Sequence, residues 1–354
     1  MQSSVKVIVL KLTVVQQQQQ QKIIIWELTP RMTSIFLFSF DFRIGDLVIN
    51  CSRSVSSFAI PISLDHKKRL NFRIGNFFWN DLPNLKCFSL KCYHSIDQYD
   101  DKILPLLHRM SCLEKLTLYI RINNRNTFID DTHLQNEIFL HMPRLHSFTF
   151  YICTYIDNVN SIHYLPYENI RQHVAKIVNY INTHKVVCSI FSLPFAFDRL
   201  EAIGNIFPKT VFKYVTYLLV EDIVPFNHEF FIRVGRAFPL LNIFRVINEE
   251  SQSCCDLNTF SSDNNRSNPI AEYPHLTVLD LRNAHFGYVE QFLNETKTYL
   301  PCLTELTVFY TNLRIATKNF TREETRRNCA KVKQLFMVIP LVHSKDFYLY
   351  FPSL

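Results

Sequence analysis

The side chains with most chemistry to offer in this 354-residue chain are its 10 cysteines, 13 histidines and 31 acidic residues. Cys87, Cys92, His94 and Cys112 are the ligand types of a tetrahedral zinc site. Their spacing argues against one. Cys87 and Cys92 are an odd number of positions apart, so on an extended strand they point to opposite faces, and the group is better assigned as core or strand-edge thiols. His228-Glu229 lacks the second histidine of HExxH, and no GxSxG occurs. Cys254-Cys255 lies in a polar stretch, where exposure is expected. Arg322, Arg326, Arg327, Lys331 and Lys333 form a basic run, expected as the solvated outer face of a helix. No catalytic, cofactor-binding or metal-ligating residue emerges, and a non-catalytic binding protein is expected.

Composition points the same way. Only 5 glycines are present, against roughly 7% in average usage. Phosphate-cradling loops need closely spaced glycines so that backbone amides can approach the ligand, and neither GxGxxG nor GxxxxGK[ST] occurs. Lys and Arg exceed Asp and Glu by 38 to 31, but the basic residues are scattered, so no nucleic-acid partner is expected. The longest apolar stretches, near Val5–Val15 and Ile35–Phe42, are shorter than the roughly 18 residues of a membrane helix. No signal-peptide pattern opens the chain, so the Asn-x-Ser/Thr triplets at Asn50, Asn265, Asn294 and Asn319 are expected to be chance matches. A soluble protein of the cytoplasm or nucleus, not secreted, is expected.

The elements that must position any binding residue are set by a recurring phrase, apolar-Pro-x-Leu-x-x-apolar-x-apolar. It begins at Leu82, Met110, Met142, Phe238, Tyr273 and Leu300, with Ser111 in place of proline once. The intervals are roughly 27 to 35 residues, and the long gap from Met142 to Phe238 spans three of them. Val186–Phe191 and Val215–Val220 are the candidates for two degenerate copies inside it, and Val332–Val338 for a last one. Helix periodicity fills Asp101–Met110, Asp131–Met142, Glu168–Asn182, Asn227–Phe238, Phe286–Tyr299 and Thr321–Lys331. Asp131 and Asn227 are expected N-caps, and Thr321-x-x-Glu324 an expected capping box.

A strand, loop, helix and proline turn per unit predicts an α/β leucine-rich-repeat solenoid of eight or nine irregular repeats. Its parallel sheet would line the concave side, with helices outside. A parallel βα barrel or a doubly wound sheet, built from the same units, stays open as an alternative that would allow an enzyme. Residues 1–70, with the Gln16–Gln21 run, form a poorly defined N-terminal segment. Residues 71–354 are the repeat domain, with a polar loop inserted at 248–270.

If strands alternate faces, the residues between core positions line the concave surface. These are Ser89 and Lys91, Thr117 and Tyr119, Thr149 and Tyr151, Arg245 and Ile247, Asp280 and Arg282, Thr307 and Phe309. Tyr119, Tyr151, Arg245, Arg282 and Phe309 are the candidate partner-binding residues, since tyrosine and arginine combine large contact area with directional donors.

The phrases resemble the repeat portion of F-box leucine-rich-repeat proteins over residues 80–354. The resemblance is carried by VEQFLNETKTYLPCLTEL from Val289, TKNFTREETRRNCAKVKQL from Thr317, the closing Tyr350-Phe351-Pro352-Ser353-Leu354, and IVPFNHEFF from Ile223 with the FPLL that follows. It implies a protein-interaction scaffold with a protein partner on the concave face. It further implies a substrate-recognition subunit of a Skp–cullin ubiquitin ligase, in which the Skp adaptor would dock on an F-box upstream of the repeats. Residues 1–80 lack the Leu-Pro-x-Glu opening of an F-box, so a repeat protein derived from that family without a ligase role is the alternative.

Overall fold

The computed structural model describes residues 37–44, 47–54, 63–64, 70–71, 85–156, 173–180, 183–252, 269–337 and 345–354. The Gln16–Gln21 run, most of the polar loop with Cys254 and Cys255, and Val338 lie outside them. The chain divides into two compact units, Met1–Phe36 with Val55–Trp79, and Leu37–Ser54 with Asn80–Leu354. The described part of the first unit is one short antiparallel pair, in which Ser63–Leu64 meets Leu70–Asn71.

The larger unit holds two open sheets. In chain order the strands of the first are β1 (Leu37–Ile44), β2 (Leu47–Ser54), β3 (Cys87–Ile96), β4 (Lys115–Ile122), β5 (Ser147–Ile156), β6 (His173–Tyr180) and β7 (Thr183–Phe191). They lie in the order β1-β2-β3-β4-β5-β7-β6. The phrase strands β3, β4 and β5 run parallel at its centre, and antiparallel hairpins flank them on both sides. The second sheet is wholly parallel: β8 (Arg199–Ile203), β9 (Tyr217–Glu221), β10 (Ile243–Asn248), β12 (Val278–Ala284), β14 (Glu305–Val308) and β15 (Gln334–Met337). A separate two-strand pair joins β11 (Ala271–Glu272) to β13 (Thr298–Tyr299).

The phrases stack in register. Phe88, Leu116 and Phe148 are partners in the first sheet. In the second, Leu218, Phe244, Leu279, Leu306 and Leu335 are aligned, all but Leu335 fully buried. One backbone device repeats at each step. Two successive amides entering a strand donate to one carbonyl of the preceding unit: Glu114 and Lys115 to Lys86, His146 and Ser147 to Glu114, Thr216 and Tyr217 to Asp198, Asn242 and Ile243 to Thr216. The series continues with Thr277 and Val278 to Asn242, Thr304 and Glu305 to Thr277, and Lys333 and Gln334 to Thr304. Three described phrases open on a tight turn with both apolar ends buried, where Leu113 donates to Met110, Leu241 to Phe238 and Leu276 to Tyr273; Leu145 donates to Met142 in the same way but is half-buried.

Helical segments connect the strands: Tyr99–Ile103 running into α1 (Leu104–His108), α2 (Asp131–His133) running into a wide-turned segment Leu134–Phe139, α3 (His228–Ala237), α4 (Phe286–Leu293), α5 (Tyr310–Ala316), α6 (Glu323–Cys329) and α7 (Lys345–Tyr350). Asn227 caps α3 by accepting from the Phe230 amide at 2.9 Å. The other cap sits one residue earlier than the sequence predicts: Asp130, not Asp131, accepts from His133 N at 2.8 Å. The Thr321–Glu324 capping box does not form. Thr321 Oγ1 donates to Lys318 O, and Glu324 turns to Arg322.

Four expectations need correction. The stack is not one parallel sheet, because the strands divide between two sheets and the first carries antiparallel pairs at both ends. The helix predicted over Glu168–Asn182 is instead strand β6 across His173–Tyr180; its Val174, Ile177 and Val178 have helical spacing, but β-branched residues pair readily with a neighbouring strand. Val186–Phe191 is a strand antiparallel to β5, so it is no copy of the phrase, whereas Val215–Val220 does become one in β9. Strands β1 and β2 bring part of the poorly defined N-terminal segment into the repeat sheet. Among the described residues both sheets are open and no closed barrel forms, which removes the barrel alternative.

One hydrophobic core runs from Tyr119 on the first sheet to Phe351 near the C-terminus. At that end Phe347, Tyr350 and Phe351 surround Phe320 at ring separations of 5.2 to 6.4 Å.

Candidate functional site

The predicted surface residues fall into two groups. Tyr119 and Tyr151 do share one rung, stacked with ring centroids 4.6 Å apart, but both are fully buried. The segment from Ser192 to Asp198 crosses this strand face and lays Phe197 against Tyr119 and Phe195 against Tyr151. Neither tyrosine can meet a partner there, which corrects their assignment as binding residues.

Under that roof lies a buried ion cluster. Arg121 of β4 reaches Glu201 of β8 at 2.6 Å, and Arg199 pairs with the same carboxylate, whose side chain is 1% exposed. Tyr155 OH accepts from Arg121 Nη2 at 2.6 Å, and Tyr151 OH donates to the Glu201 carbonyl at 2.7 Å. Burial opposes the Arg121 charge, but Tyr155 and Glu201 outweigh it and hold the guanidinium protonated well above its usual range. Ala202, next to Glu201, sits at φ 52° where β8 shifts register against β9. Tyr119 OH, buried beside this cluster, has no hydrogen-bond partner among the described residues. Two cations and one anion tie the first sheet to the second, so the cluster joins the two blocks and is not open to a ligand.

Arg245 and Arg282 lie on the second sheet, whose strand face no segment among the described residues roofs with aromatic side chains. Across one rung sit Leu219, Arg245, Asp280, Thr307 and Phe336. Asp280 holds both arginines, Arg282 Nη2 at 2.7 Å and Arg245 Nε at 3.4 Å. Its hydrogen bond lifts the Arg282 pKa further. Arg282 is nearly half exposed and Phe336 is 51% exposed. One rung back, Arg199 stacks its guanidinium 3.8 Å from the Tyr217 ring. Phe309 is not on the strand at all: β14 ends at Val308, and Phe309 is the half-buried residue preceding α5. Phe336, in register with Thr307, is the exposed aromatic residue on that rung.

A second group of chemistry-bearing side chains escaped the sequence. His108, Glu137 and His141 converge on the helical side of the first sheet. The available signal was the i, i+4 spacing of Glu137 and His141 on a helical pattern, while His108 lies a whole unit earlier. Cys87 and Cys92 fall on opposite faces of β3, half-buried and buried. His228 donates from Nε2 to Pro269 O at 2.8 Å and accepts at Nδ1 from Gln291, a structural role.

A depression of about 200 Å³ near the C-terminus is lined by Phe320, Thr321, Glu323, Arg326, Asp346, Leu349 and Tyr350. It falls below the roughly 300–1,000 Å³ typical of small-molecule sites. Among the described residues no helix is long and apolar enough to cross a membrane.

Comparison with known proteins returns nothing: no family model matches the sequence, no curated protein matches it, and no solved structure does.

Proposed function

We propose that the chain is a protein-interaction scaffold of the leucine-rich-repeat type, and that its partner docks on the strand face of the second sheet around Arg245, Asp280, Arg282 and Phe336. The observation that carries it is the exposure of Arg245, Arg282 and Phe336 over the second sheet, where Leu219, Asp280 and Thr307 of the same rung are buried beneath them. Exposed arginine and aromatic side chains on a parallel sheet suit a protein surface, since these types dominate interface hot spots. The repeated phrase and its seven matching carbonyl steps support a repeat scaffold. The small C-terminal depression offers little to a substrate.

The finer assignment, a substrate-recognition subunit of a Skp–cullin ubiquitin ligase, rests on the F-box resemblance of residues 80–354. A derived repeat protein without ligase role is its alternative.

A photo-crosslinker at Phe336 in the purified chain tests the surface, with captured neighbours identified by mass spectrometry. Support is a neighbour that binds the purified wild type and loses at least about tenfold in affinity to R245A/R282A with circular dichroism unchanged. Equal affinity for that variant rejects the surface. Direct titration with purified Skp adaptor tests the ligase assignment separately, and absence of binding removes it without touching the surface.

A further inference from the structure

We propose that His108, Glu137 and His141 form a divalent transition-metal site, best matched to Zn²⁺, which clamps the helical segments of two successive repeat units. One ligand atom of each side chain lies within 4.8 Å of the other two. The His108 and His141 rings lie face to face, 3.7 Å between centroids and 10° apart in plane, so one ring must turn about its side-chain torsions before both in-plane lone pairs meet a single ion. Nε2 of His108 stands 3.3 Å from Glu137 Oε2 and donates to the Glu137 carbonyl at 2.8 Å.

The donor set selects the metal. Two imidazoles and one carboxylate are the ligands of borderline-soft cations such as Zn²⁺, and they leave a fourth tetrahedral position for water. Calcium and magnesium call for oxygen donors throughout and fit poorly. Bonds of about 2.1 Å place tetrahedral ligand atoms about 3.4 Å apart, so the three heads must close by about 1 Å or a little more. The backbones that carry them are anchored, because Leu106, Leu107, Ile138 and Met142 beside them are buried. The heads have room to move, with His108 and Glu137 about a third exposed and His141 exposed, and binding through His108 Nε2 would exchange its bond to the Glu137 carbonyl for the ion.

Position adds a purpose. His108 ends α1 of one unit, while Glu137 lies in the helical segment Leu134–Phe139 of the next and His141 in the turn that follows it. In a stacked array, stability depends on the interfaces between neighbouring units, and a metal across this one would add its binding free energy to the folded state alone. The competing role for His108 is purely structural, as the donor that satisfies the Glu137 carbonyl.

Chelator-treated full-length protein is titrated with Zn²⁺ against a chromophoric competitor, and with Co²⁺ by absorption. The wild type should bind one equivalent at this site, with a Co²⁺ spectrum free of the intense thiolate charge-transfer band. H141A, whose residue is exposed, and H108A should each lose at least about tenfold in affinity, while H146A, an exposed histidine outside the group, should not. Folding of each variant is checked by circular dichroism, and H141A with E137Q decides the case if H108A does not fold. Absence of binding by the wild type, unchanged affinity in H141A and E137Q, or a thiolate band carrying the Co²⁺ signal would each overturn the site.

Discussion

At the residue scale, the two stacked tyrosines separate what burial and hydrogen bonding contribute. Tyr151 OH donates to the Glu201 carbonyl, whereas Tyr119 OH is equally buried and unpartnered. Burying a hydroxyl without a partner costs roughly 1–3 kcal/mol, and a satisfied one contributes about 1 kcal/mol. Tyr119→Phe should therefore leave stability unchanged or raise it by about 1 kcal/mol, and Tyr151→Phe should lower it by about 1 kcal/mol, both read from urea unfolding. Equal losses in the two variants would contradict the geometry. The ion cluster behaves differently. Removing the Glu201 carboxylate as Glu201→Gln strands two arginines, one of them Arg121 with a side chain only 19% exposed. Breaking a buried pair in this way costs about 3–5 kcal/mol. A loss below about 1 kcal/mol in the same unfolding experiment would show that the cluster does not hold the sheets together. None of this was visible in the sequence. Arg121 and Glu201 are 80 positions apart, and alternation along β4 assigned Arg121 no role.

At the element scale, α3 is amphipathic and capped by Asn227, and its limits agree with the periodicity of residues 227–238. Gly235 lies inside it, where alanine would ordinarily gain roughly 0.5–1 kcal/mol. Here an added Cβ would stand 2.7 Å from the Glu272 carbonyl oxygen of β11. Backbone cannot swing aside as a side chain can, so Gly235→Ala should destabilise by at least about 1 kcal/mol, measured by thermal unfolding. A rise in Tm would mean that α3 does not press on β11. The elements that sequence patterning located best are those whose apolar positions face one partner, such as β4, β10 and β12. It failed at β6 and β7, where Val186–Phe191 and the stretch before it form a hairpin and the pairing strand, not the period, decides the state.

At the scale of the whole molecule, the core is continuous across both sheets and holds several acidic groups neutral. Burial pushes the Cys188 thiol from 9.0 up to about 12, and the Tyr288 hydroxyl from 10.0 up to about 12. Both groups bind their proton more tightly folded than unfolded, so unfolding releases protons in this range. Their contribution is complete below about pH 9 and is lost as the pH rises through about 12. The urea midpoint should accordingly stay flat from neutral pH to about 8.5 and fall steadily from about 9 upward. A midpoint unchanged at pH 11 would place these side chains in contact with solvent.

The sequence by itself determined the unit: a turn with two buried apolar ends, a short strand, and a helical return, recurring at intervals of 27 to 35 residues. Those features are local, set by periodicity, proline and capping within a single unit, and they can be read from neighbours along the chain. Tertiary structure alone decided how the units group. The antiparallel hairpin β6–β7 interrupts the stack, and the segment carrying Phe195 and Phe197 folds over Tyr119 and Tyr151 but leaves Arg245 and Arg282 uncovered. The physical reason is that strand alternation specifies which side chains share a face but carries no information on what crosses that face. A residue remote in sequence supplies the cover, and it converts one tyrosine pair into core while leaving the arginine row at the surface.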